Sequence, residues 1–150
     1  MAKNKEEFQT ITATLVLDGA AKAIDTYRKA FGAQEVYRMD DGKGKIMHAC
    51  LTIGNSKIFL CDTNPQMGTM EPTRGSFYLY KDDVDAAFKQ ARSSGLKELF
   101  APQDMFWGDR TGVVEDGFGI RWTLATHVRD VSPEEMEEGR KKFAAGKKAA

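Results

Sequence analysis

The sequence predicts an α+β fold built from two βαβββ modules and completed by a C-terminal helix, and three observations carry that expectation. "TATLVLDGAAKAIDTYRKAFGAQE", starting at Thr12, is similar to "SFYLYKDDVDAAFKQARSSGLKE", starting at Ser76, an offset of 64 positions. Each copy is followed by short β-rich runs separated by turn residues. Near the end, "VSPEEMEEGRKKF" carries the residue types that start a helix.

In the first copy, Ile11 to Leu17 is a β-rich run and Asp18 is a residue type that caps helices. Ala23, Ile24, Tyr27, Ala30 and Phe31 then follow helical spacing, and Gly32 ends the pattern. The second copy repeats these events. Phe77 to Tyr80 reads as a strand, Asp82 or Asp83 as the cap, and Val84, Ala87, Phe88 and Ala91 as the buried stripe before Gly95. Strand-like runs follow each helix: "QEVYRM", "IMHACLTI" and "KIFLCD" in the first half, "LKELF", "WGDRTGVVED" and "IRWTLATH" in the second. "TNPQMGTMEPTRG" is the expected connector. The expected organisation is one domain over residues 1–150, with modules at about 9–64 and 74–129 and a helical tail at 132–150. In that tail Ser132 is the expected N-cap, Pro133 the first helical residue and Glu135 the third residue after the cap. Its apolar positions are sparse, chiefly Met136 and Phe143, so the helix is expected to be solvated and "AAGKKAA" to fray.

Composition narrows the function classes. Lys plus Arg equals Asp plus Glu at 22 each, so no overall charge draws the chain to nucleic acid or to an anionic membrane. No apolar run approaches the roughly 20 residues needed to span a bilayer, and "MAKNKEEFQT" lacks the apolar core of a secretory signal; the expectation is a cytoplasmic protein. Cys50 and Cys61 stand outside any CxxC arrangement and read as reduced, half-buried thiols. "GKG" at Gly42 to Gly44 follows Asp40 and Asp41 and reads as a hairpin turn rather than a phosphate cradle.

The paired modules, with "LVLDGAAKAIDTYRKAFGA", "IMHACLTIGNSKIFLCD", "WGDR", "DGFGIRWTLATHV" and "DVSPEEM", resemble the vicinal oxygen chelate superfamily of glyoxalases, bleomycin-resistance proteins and dioxygenases. Within it they are similar to the PhnB-like branch. The resemblance runs from about Ile11 to Met136 and implies curved mixed sheets, a homodimer, and halves that face a common cavity within one chain or across two. It also implies four metal-ligand positions in the metal-using members, which fall here on Thr12, Phe59, Ser76 and Thr123. None of these supplies the imidazole, thiolate or carboxylate that a catalytic divalent metal requires. The expectation is therefore no metal and no cofactor. A displaced site drawn from His48, Cys50, Cys61, Asp62, Asp109 and His127 is the weaker alternative, since the spacing matches no metal motif.

Along "IRWTLATH", Arg121, Thr123 and Ala125 share one face of a strand, while Trp122, Leu124 and Thr126 share the other, with Trp122 expected in the helix-backed core. Asp109 and Arg110 beside Trp107 offer hydrogen-bonding groups next to an aromatic face. The leading expectation is a metal-free dimer that binds a small organic molecule in a cavity lined by Thr12, His48, Phe59, Ser76, Trp107, Asp109, Arg110 and Thr123. One alternative is a lyase, isomerase or dioxygenase-type enzyme that uses a displaced metal or His48 and Asp109 as acid and base. The other is a dimeric structural or regulatory module without a ligand.

Overall fold

The computed structural model describes residues 8–69 and 71–149; the N-terminal "MAKNKEE", Met70 of the connector and Ala150 of the tail lie outside the described residues. The first module runs β1 (Ala13–Leu17), α1 (Ala20–Phe31), β2 (Gln34–Asp40), β3 (Ile46–Ile53) and β4 (Ser56–Asp62). The second runs β5 (Gly75–Tyr80), α2 (Val84–Ser93), β6 (Lys97–Asp104), β7 (Asp109–Glu115) and β8 (Ile120–His127), and α3 (Pro133–Ala149) ends the chain.

Each module forms a four-stranded mixed sheet, in the orders β1-β4-β3-β2 and β5-β8-β7-β6. The duplication extends to register. Thr14 lies opposite Phe59 in the parallel pair β1/β4, and Tyr78 lies opposite Thr123 in the parallel pair β5/β8, each residue 64 positions beyond its counterpart.

Alternation along the strands sends one set of side chains under the helices and the other to an open face. Leu15, Leu17, Leu51 and Leu60 of the first sheet, with Val114, Trp122 and Leu124 of the second, join Ile24, Tyr27, Phe31 and Phe88 of the helices in one buried cluster. Full burial of a Leu or Ile side chain is worth about 1.5–3 kcal/mol. The modules thus meet on their helix-backed sides: the Trp122 ring lies 4.7 Å from Phe31 and 5.2 Å from Tyr27, both on α1. The core position expected for Trp122 is its position in the fold.

The start of α1 departs from expectation. Gly19, not Asp18, is the cap residue, in the left-handed conformation that glycine tolerates (φ 91°). The unpaired N–H groups of Gly19 and Ala20 instead donate to Asp62 Oδ1, both at 3.0 Å, while Ile46 N–H donates to Oδ2 at 2.7 Å. Parallel pairing sets Asp62 beside Leu17, within reach of the helix start, so a distant carboxylate takes the capping role. Asp18 accepts a longer bond from the Thr63 hydroxyl. In the second module Asp83 caps α2 through Ala86 N–H at 3.1 Å, and Thr126, the counterpart of Asp62, accepts from Val84 N–H at 2.8 Å.

The "GKG" turn is held by its own aspartates, with Asp40 accepting from Gly42 N–H and Asp41 from Lys43 and Lys45 N–H. Those donors are engaged within the turn. Both cysteines are buried rather than half-buried, since each sits on a central strand of the first sheet.

Ser132 accepts from Glu135 N–H at 3.1 Å, and α3 runs to Ala149 as a largely exposed helix that touches the second module at one point. The Phe143 ring lies 5.6 Å from that of Phe106. A Cβ at Gly139 would stand 2.5 Å from the Phe106 Cβ, so the absent side chain is what allows α3 to lie this close. Gly139 and Phe143, one turn apart, meet the same anchor.

Candidate ligand-binding site

The open face of the second sheet, the turn before β7 and the docked helix α3 enclose a pocket of about 410 Å³. Tyr78, Phe100, Trp107, Val113 and Phe143 supply aromatic and apolar walls, while Gln103, Thr111, Arg121 and Thr123 contribute polar groups. Period-two alternation explains the set: Tyr78 pairs with Thr123, Thr123 with Val113, and Gln103 with Thr111 across neighbouring strands, so all face the same side.

Trp107 is held by the turn that carries it. Gly108 has φ 101°, and a Cβ there would collide with the Arg129 carbonyl oxygen, so only glycine fits. The Gly108 carbonyl in turn accepts from Val128 and Arg129 N–H. The Trp107 indole N–H donates to Tyr78 Oη at 3.2 Å, and Tyr78 O–H donates to Asp109 Oδ2 at 2.7 Å.

Asp109 anchors this end of the pocket. It also accepts from Tyr80 O–H at 3.0 Å, and its Oδ1 lies 2.9 Å from His127 Nδ1. Burial works to raise the Asp109 carboxyl, but the hydrogen bonds from Tyr78, His127 and Tyr80 outweigh it and hold the group below the usual carboxylate range. Burial, reinforced by the Asp109 carboxylate, pushes the Tyr78 phenol up to about 12. His127 is raised by Asp130, whose Oδ1 lies 2.8 Å from Nε2, and by Asp109. Asp109 therefore orders the tyrosines and through them Trp107.

The sequence-derived candidates divide between two faces. Trp107 and Thr123 line the pocket, and Asp109 supports it from below. Ser76 lies on β5, opposite Arg121 and at an exposed position. Arg110 points away, because its neighbour Asp109 takes the inward position; its guanidinium meets Asp85 of α2 through two bonds of 3.0 and 3.1 Å and Asp104 through one of 3.2 Å. It joins helix to sheet.

Thr12, His48 and Phe59 belong to the first module. There the Phe59 ring packs 5.7 Å from Phe8 and 4.7 Å from His48, and Tyr37 Oη lies 2.9 Å from His48 Nε2. His48 and Asp109 sit on different sheets, and the carboxylate's imidazole partner is His127. Sequence reasoning missed Tyr78, Tyr80 and Phe143: the tyrosines by not following alternation along β5, Phe143 because nothing local shows where a tail helix returns.

The family's four metal positions do not fit a metal. Thr12, Phe59, Ser76 and Thr123 provide no strong donor, and Phe59 presents a phenyl ring already packed on Phe8 and His48. Among the described residues no group of three or more His, Cys, Asp or Glu is arranged to hold an ion.

A family model, the glyoxalase/bleomycin resistance protein/dioxygenase superfamily, matches residues 10–124. An uncharacterised protein of Mycobacterium bovis is 41% identical over 145 residues, which span 91% of this chain and 94% of the relative. An uncharacterised protein of Mycobacterium tuberculosis strain H37Rv is likewise 41% identical, over 91% of this chain and 84% of its own length. Among solved structures, TioX from Micromonospora sp. ML1 superposes with a TM-score of 0.67 at 24% identity, covering 80% of this chain and 99% of that one. A PhnB protein from Bacillus cereus, described as a putative 3-demethylubiquinone-9 3-methyltransferase, does so with a TM-score of 0.60 at 21% identity, covering 79% and 99%. At these identities the structures show a shared fold, and the matched family model carries the assignment. With paired βαβββ modules whose registers repeat strand for strand, the chain belongs to the glyoxalase/bleomycin resistance protein/dioxygenase superfamily.

Proposed function

We propose that this protein binds a small organic molecule without a metal, in the pocket between the second sheet and α3. The observation that carries the reading is the pocket's lining: Tyr78, Phe100, Trp107, Val113 and Phe143 form the walls, with Gln103, Thr111, Arg121 and Thr123 spaced among them. Apolar walls with a few fixed polar groups suit a metabolite-sized ligand, and about 410 Å³ suits one of modest size. A second copy of the chain belongs to the proposal, because Tyr78, Tyr80 and Phe100 remain 45–60% exposed on the open side of the second sheet.

The test is tryptophan fluorescence of metal-stripped protein against a metabolite panel. Trp122 is buried at 3% exposure, so quenching by a pocket ligand falls on Trp107 and disappears in Trp107→Phe. Sedimentation or light scattering then gives the oligomeric state. A requirement for added divalent metal would instead favour the enzyme reading with a displaced ion.

A further inference from the structure

We infer that the ligand of this pocket is an aromatic organic anion, held at its charged end by Arg121; the inference rests on the pocket proposed above. Arg121 lies on the open face of β8, two residues before Thr123, and lines the same cavity. Its guanidinium stands over the Phe100 ring at 5.8 Å from the centroid. Among the described residues its side chain forms no hydrogen bond or ion pair, in contrast to Arg110 of the neighbouring strand, which engages two carboxylates.

Glu115 stands opposite Arg121 in register, yet the two form no ion pair, and Lys97 flanks Glu115 on its other side. Asp109, at the other end of the β7/β8 pair, already accepts from Tyr78, Tyr80 and His127. The positive charge in this cavity is therefore left for a ligand. A guanidinium offers a planar fork of N–H donors that matches a carboxylate, and its hydrogen bonds to an anion are stronger than neutral ones.

The body of the ligand follows from the other walls. Trp107, Tyr78 and Phe143 line the cavity with aromatic rings, against which a flat hydrocarbon surface gains both burial and ring contacts. Aliphatic acids would leave much of that ring surface uncovered. Polyanions are disfavoured because Arg121 is the sole cationic side chain lining the cavity among the described residues.

The experiment is isothermal titration of the full chain with 2-naphthoate, 2-naphthylmethanol and 2-naphthylmethylammonium, with the Trp107 indole N–H resonance reporting location. The expected result is about tenfold tighter binding of 2-naphthoate than of the alcohol, the ammonium weakest of the three, and a preference that shrinks with added salt. Arg121→Gln, at an exposed position, should abolish the preference of 2-naphthoate over the alcohol. Equal affinities, a preference for the ammonium, or a naphthoate preference that survives Arg121→Gln would overturn the inference while the Trp107 response keeps the pocket. Absence of any Trp107 response to all three would overturn the pocket reading and this one together.

Discussion

Tyr27 on α1 donates a 2.6 Å hydrogen bond to Asp116, at the turn between β7 and β8, and thereby fastens the first module's helix to the second module's hairpin. Asp116 also accepts from Trp122 Nε1–H at 2.9 Å and from the N–H groups of Phe118 and Ile120 at 2.8 and 3.0 Å. A buried carboxylate with four donors is well satisfied. Burial, with the Asp116 charge next, drives the Tyr27 phenol far above its ordinary value, so it remains a donor throughout the working pH range.

Tyr27→Phe removes one of those four donors while keeping the ring stack. The expected loss is about 1–3 kcal/mol of stability, read by urea denaturation, because a buried acceptor loses a partner. An unchanged midpoint would show that the bond contributes nothing to joining the modules.

The His127 clamp makes a pH-dependent contribution. Asp130 and then Asp109 raise its folded pKa, so its stabilisation is fully present below the unfolded value of about 6.5 and is lost as pH rises through the folded value. Thermal melts should therefore show Tm declining across that alkaline-going window, and His127→Gln should flatten the slope. Asp109 acts oppositely: its lowered pKa contributes above the unfolded value of about 4, and that part is lost on acidification. The same decline in wild type and His127→Gln would assign it to another group.

Gly139→Ala tests how α3 is docked. Alanine is the better helix former, so an undocked tail would gain helicity and nothing else. Because the added Cβ would meet Phe106 at 2.5 Å, the expected outcome is faster amide exchange along α3 and weaker ligand binding, with the sheets unaffected. Unaltered exchange would mean that Phe106 yields and that the close approach is not required.

Much of this architecture is legible in the sequence, for identifiable reasons. The strand and helix order follows from the repeat at 64 positions, and the core place of Trp122 follows from alternation along "IRWTLATH". Local patterns could not reveal that Asp62 caps α1, because the carboxylate arrives through parallel strand pairing 43 residues away from Gly19. The same limit hid the site. Thr12 and Phe59 look equivalent to Ser76 and Thr123 by repeat position, yet within this chain the two pairs belong to separate modules. Arg110 and Asp109 are adjacent in sequence and so face opposite sides of β7, which turned one into a support of the pocket and the other into a link to α2.

The most direct test of the central claim is a two-dimensional amide and indole NMR titration of metal-stripped protein with 2-naphthoate. The account predicts shifts concentrated at the Trp107 indole, Thr111, Arg121, Thr123 and Phe143, without any added ion. Shifts confined to His48 and Phe59 on the first sheet, or appearing only after a divalent metal is supplied, would contradict it.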